Sequence, residues 1–188
     1  MNLYLRLLWT LLRAWRSPRL VLGQTLERTL RVLPNDLDVN GHMNNGRYLT
    51  VIDLMLVEYF VRTGFARAML QRGWRPMAGG SFITYRRGLK PLQTYTLRFR
   101  LDGGDAHWNY MRFEFMRHGR VCAAGYMKGA AVARDGLVPN ALSYAATGLA
   151  VPEAHGGLGF GAVEAMVVME ELGRGLVNAP YAQAALVA

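Results

Sequence analysis

An α+β domain built on an antiparallel sheet is predicted for this chain of 188 residues from three observations. One strand-like run, residues 26–34, comes first. Apolar residues then recur at helical spacing from Tyr48 to Phe60. Four runs with strand character follow one after another before residue 134. A strand, a long helix and consecutive strands put one helix against one sheet, without the alternation that builds parallel sheets.

The chain opens with "MNLYLRLLWTLLRAWRSPRL", which reads as a helix ending before Pro18. Asn2, Arg6, Thr10, Arg13 and Arg16 follow at spacings of three or four and form a narrow polar stripe. Leucine and tryptophan cover the rest. Two arginines interrupt the apolar run, which is shorter than the ~20 residues a spanning helix needs. It has no basic region ahead and no cleavage site, so a signal peptide is not expected. Two readings stand. Residues 1–17 lie in a membrane interface with arginines toward lipid phosphates, or they pack on their own domain or a partner subunit.

In the long helix Leu49, Ile52, Leu56, Tyr59 and Phe60 mark one face, and Gly64 is the stop. A shorter helix is expected from Ala66 to Arg72. "SFITYRRG" is the next strand. "TYTLRFRL" alternates, with Tyr95, Leu97, Phe99 and Leu101 on one face. "WNYMRFEFMRHG" places Met111, Phe113 and Phe115 together, and "HGR" turns the chain into "VCAAGYMKGAAVA". The Ala and Gly of that last strand let something bulky come close.

Composition bounds the function. Hydrophobic residues make up 52% of the chain, which excludes a disordered chain. Cys122 is the only cysteine, so no internal disulfide forms and a reducing, cytoplasmic compartment is expected, with peripheral membrane contact left open. Residues 1–140 hold 21 Lys and Arg against 9 Asp and Glu, a net of +12. Residues 141–188 hold Arg174 against four glutamates, a net of −3. The basic part favours an anionic partner: nucleic acid, a membrane surface or a phosphorylated small molecule. No nucleic-acid motif supports the first.

One loop stands out. "NDLDVNGHMNNGRYL", residues 35–49, gathers Asp36, Asp38, Asn40, His42, Asn44 and Asn45 between the first strand and the long helix. Asn44 or Asn45 can cap that helix, leaving its first N–H groups facing the loop. A carboxylate that activates water or attacks a carbonyl, an amide that orients and an imidazole that moves protons suit acyl transfer to water. Asp and Asn also make turns and caps. The residues alone establish an α+β domain with a candidate carboxylate site.

"LDVNGHMNNGRYL" resembles the signature of hotdog-fold acyl thioesterases, including the hydroxybenzoyl-CoA thioesterase-like group and the plant acyl-carrier-protein thioesterases. Over about residues 1–140 the chain is similar to bacterial relatives of the thioesterase superfamily member six proteins. The resemblance implies a hotdog fold, an antiparallel sheet wrapped around one long helix. It implies Asp38 as base or nucleophile, with Asn40 and His42 beside it, and an oxyanion site at the helix start, Asn45 and Gly46. It also implies a homo-oligomer, dimer or tetramer, with the acyl chain along the helix and Arg86, Arg87 and Lys90 toward CoA phosphates. The plant enzymes carry an acid just after "YRR". This chain has Gly88 after Tyr85, Arg86 and Arg87, which leaves more to Asp38.

Residues 149–186 resemble a fragment of the acyl-CoA dehydrogenase amino-terminal domain, with "PEAHGGLG" leading into a helix from Val163 to Gly173. A segment this short builds no flavin pocket, so no FAD, no other cofactor and no metal is expected. The expected divisions are residues 1–20 as an amphipathic helix, 21–140 as the thioesterase-like domain and 141–188 as a helical extension. The expected function is hydrolysis of acyl-CoA or a related thioester. The alternative is a non-catalytic, membrane-associated protein that holds acyl-CoA or lipid.

Overall fold

The computed structural model describes residues 3–148. The Val163–Gly173 helix expected from the sequence lies outside them. The elements run α1 (Leu3–Arg16), β1 (Leu26–Arg31), a 3-10 turn (Pro34–Asp36), α2 (Asn45–Thr63), α3 (Phe65–Arg72), β2 (Arg75–Tyr85), β3 (Thr94–Gly104), β4 (Asn109–Arg117), β5 (Arg120–Ala133), β6 (Gly136–Leu137) and α4 (Asn140–Thr147). All strand pairs are antiparallel, in the order β1-β3-β4-β5-β2, with β6 paired to β5. This is the hotdog fold, a curled sheet with the long helix packed on it.

The local reasons match the sequence pattern. Asn44 caps α2 by accepting the Gly46 N–H at 2.9 Å. Gly64 ends the helix at φ 88°, a left-handed conformation that glycine adopts without strain. One face of β3, Tyr95, Leu97, Phe99 and Leu101, is buried, as are Met111, Phe113 and Phe115 of β4. Tyr48 and Tyr59 of α2 meet this surface edge-on, at 4.8 Å from Phe115 and 5.6 Å from Phe99. The tight turn at His118 and Gly119, both at positive φ, joins β4 to β5.

Three expectations are sharpened. The first strand stops at Arg31, before the 3-10 turn that starts at Pro34. The small residues of β5 admit both a bulky ring and backbone: a Cβ on Gly125 would lie 2.9 Å from Phe113 Cζ of β4 and 1.9 Å from the Phe82 carbonyl oxygen of β2.

The third concerns α1, which turns its polar stripe inward. Arg6 pairs with buried Asp36 at 2.7 Å and Arg13 with buried Glu58 at 2.8 Å, while Thr10 and Ala14 are buried. These arginines therefore do not face lipid phosphates. Arg28 of β1 and Arg62 of α2 also bond Glu58, so one carboxylate joins α1, α2 and β1.

Candidate active site

Within the 35–49 segment, residues 36–44 form a closed loop that runs into α2. Asp38 N–H donates to the His42 carbonyl at 2.8 Å, and Leu37 and Met43 form a β-bridge. Gly41 sits at φ 71° inside it, a conformation that a side chain would strain. Asp38 Oδ1 accepts the N–H groups of Asn40 at 2.8 Å and His42 at 3.2 Å. The three residues implied by the resemblance thus share one turn, with the half-buried carboxylate held at its centre. The amides of Asn40 and His42 make that contact through the backbone. The Asn40 side chain is exposed.

Asp36, which sequence reasoning did not single out, secures the loop. It is buried; its Oδ2 accepts Arg6 and the Leu33 N–H, and its carbonyl accepts the Asn44 N–H at 2.8 Å. The last bond ties the loop to the start of α2. There the Gly46 N–H is taken by the Asn44 cap, which leaves the Asn45 N–H as the first helical donor with no intrahelical acceptor. Tyr85 of β2 donates its hydroxyl to the Asn45 carbonyl at 3.1 Å and stacks edge-on against Tyr48. Burial pushes the Tyr48 hydroxyl up to about 12, although the Leu89 backbone acts against the shift; a smaller push comes from the Asp38 charge.

The absence of an acid at position 88 has a steric correlate. A Cβ on Gly88 would lie 2.7 Å from His42 Cδ2. The imidazole fills the space that a side chain at 88 would need.

Arg87 and Lys90 open onto a groove of about 390 Å³, shared with Arg117, His118 and Arg120 of the β4–β5 hairpin and with Gly88. The hairpin cations were not foreseen, because their proximity depends on sheet register. Tyr85 pairs with Ala123, and the N–H groups of Arg86 and Arg87 both donate to the Cys122 carbonyl. That pairing carries residues 86–90 past the hairpin. Arg86 is exposed but does not line the groove. A second, apolar cavity of about 50 Å³ lies under the last half of α2, against Leu56, Phe60, Met69, Met77, Met111 and Met127.

The profile of the thioesterase-like superfamily matches residues 32–144, more than half of the chain. The chain belongs to the thioesterase-like superfamily. Among relatives of this superfamily member, Protein THEM6 of Xenopus laevis is 43% identical over 85 residues, 45% of this chain and 41% of that protein. Protein THEM6 of Danio rerio is 34% identical over 115 residues, 60% of this chain and 56% of that one. The chain spans about half the length of the curated relatives it matches. Slr0204, a 1,4-dihydroxy-2-naphthoyl-CoA thioesterase from Synechocystis, superposes with a TM-score of 0.58 at 10% identity, covering 66% of this chain and 95% of that one. That likeness is one of fold.

A second profile, the acyl-CoA dehydrogenase amino-terminal domain, matches residues 121–188. Its first part falls on β5, β6 and α4, which here belong to the thioesterase-like fold.

Proposed function

We propose that the protein hydrolyses acyl-CoA or a related acyl thioester to the free acid and the thiol. The observation that carries this reading is Asp38: a half-buried carboxylate with one oxygen held by two loop amides, in a loop hydrogen-bonded to the start of α2. In the base route Asp38 takes a proton from water as its oxygen attacks the thioester carbon. The carbonyl oxygen becomes negative and is stabilised by the Asn45 N–H and the positive end of α2. The C–S bond then breaks, and the thiolate leaves with the proton that Asp38 accepted. In the nucleophile route Asp38 attacks the carbon itself, the C–S bond breaks and the thiolate leaves; water then hydrolyses the resulting anhydride, freeing the acid and Asp38, and the proton released converts the thiolate to the thiol.

Three features supply the rest of the substrate site in this reading. The basic groove of Arg87, Lys90, Arg117 and Arg120 takes the CoA phosphates. The apolar cavity under α2 takes the far end of an acyl chain. A second copy pairs along β2, because an eleven-residue edge strand exposed over most of its length is a template for another strand.

The second reading, a binder without turnover, draws on Gly88: no carboxylate stands where the plant enzymes have one. A panel of acyl-CoAs from short to long, followed by thiol release, separates the two. Turnover on any member supports the hydrolase. Saturable binding with no thiol release across the panel sinks it and leaves the binder.

A further inference from the structure

We infer that the outward face of α1 docks on an anionic lipid surface. A helix that packs on its own domain ordinarily turns its apolar side inward. In α1 the reverse is built in. Arg6 and Arg13 are committed to Asp36 and Glu58, and Ala14, at 2% exposure, sits against the domain. The opposite side presents Tyr4 at 76%, Leu5 at 56%, Leu8 at 55%, Trp9 at 64% and Trp15 at 78% exposure, with Leu12 between them. Two ion pairs to buried carboxylates thus hold an apolar strip, about 18 Å long from Tyr4 to Trp15 at the standard rise, toward solvent. Contiguous patches of this kind mark interaction sites.

The composition of the strip selects the occupant. Leucines flanked by two tryptophans and a tyrosine suit the boundary between acyl chains and headgroups, where amphipathic rings settle. Charge points the same way. Exposed Arg16 closes the helix, exposed Arg31 of β1 lines a separate groove together with Trp9, and residues 1–140 carry a net of +12. An anionic surface attracts so basic a body. No helix among the described residues is long and apolar enough to cross a membrane, so α1 lies along the surface with its ion-paired side against the domain.

The test uses the full chain and vesicles of phosphatidylcholine, alone or with phosphatidylserine. Sedimentation with the anionic vesicles is expected, weaker on the neutral ones and weakened by salt. Lipids brominated on their acyl chains should quench tryptophan fluorescence. The double variant Leu8→Glu/Trp15→Glu should bind at least ~10-fold more weakly, with unchanged melting and circular dichroism. Two other outcomes overturn the inference: no binding to either vesicle, or equal binding by the double variant. A double variant that changes oligomeric state in the absence of lipid also overturns it and makes the strip a subunit interface. Because the readout is vesicle binding, the result is independent of thioester turnover.

Discussion

At Asp38 the carboxylate has one observed duty and one proposed, and single substitutions divide them. As an acceptor it holds the Asn40 and His42 amides and thereby closes the loop. As a charge it is assigned to water or to the thioester carbon. Asparagine keeps the acceptor and removes the charge, so Asp38→Asn should preserve melting while lowering turnover by ~10² or more. Unchanged thiol release from that variant would remove Asp38 from the chemistry. Gly88 supplies the second residue-scale experiment. A methyl group there presses on the His42 ring, and the ring is the part able to move. Gly88→Ala should therefore shift the His42 imidazole resonances and alter turnover, at a stability cost below ~1 kcal/mol. Identical His42 resonances in variant and parent would show that the ring has no need of the space. The loop was legible in the sequence because its bonds are local, spanning two to four residues. Arg117, Arg120 and Asp36 were not, because their significance comes from partners that only sheet pairing or helix packing brings near.

Among the elements, α1 shows how far a periodic pattern reaches. Its polar stripe was plain from spacing, but spacing carries no information on which side faces the protein. That choice is made thirty and more residues away, by Asp36 and by Glu58 on α2. Of the two readings for residues 1–17, packing on their own domain is the one seen: Arg13 of α1 supplies a partly exposed partner to a carboxylate with no solvent exposure. Burial alone would raise the Glu58 pKa, but the Arg28 hydrogen bond and the Arg13 charge outweigh it and hold the carboxyl below its ordinary 4.5. The sign follows. A depressed folded value contributes stability that is present above pH 4.5 and lost as pH falls through the lower folded value. Glu58→Gln should lower stability by about 3 kcal/mol, the low end for a buried pair, since the guanidinium groups reach solvent. Denaturant unfolding from neutral pH to below 4.5 should show a shallower loss on acidification in the variant. Equal slopes in the two proteins would place the acid-sensitive group elsewhere.

At the scale of the whole molecule, two boundaries matter: the open edge of the sheet and the end of the fold. If β2 pairs with its copy, sedimentation should report a dimer, and the β2 amides should exchange with solvent far more slowly than an exposed edge allows. A monomer with fast-exchanging β2 would exclude that assembly. The thioesterase-like match itself ends at residue 144. The sharp change in charge after residue 140 invites a stop after Leu142, but α4 belongs to the body of the protein. Asn140 is buried and donates to the Asp105 and Trp108 carbonyls at 2.9 and 3.0 Å, while accepting from Asn109 at 2.8 Å. Tyr144 is buried against Phe65 and bonds Asn109, and Arg19 reaches the Thr147 carbonyl at 3.2 Å. A stop after Leu142 therefore strips a buried aromatic from α3 and removes the hydroxyl that donates to the Asn109 side-chain oxygen of β4. It should cost several kcal/mol. A stop after Gly148 keeps every one of these contacts. Since Asp38, the start of α2 and the basic groove all lie before residue 123, the Gly148 stop should melt near the full-length protein and retain its turnover. The full-length protein, in turn, should show no flavin absorbance. If instead the Gly148 stop folds but loses turnover, residues 149–188 serve the site directly, and the likeness to a dehydrogenase segment no longer marks them as dispensable.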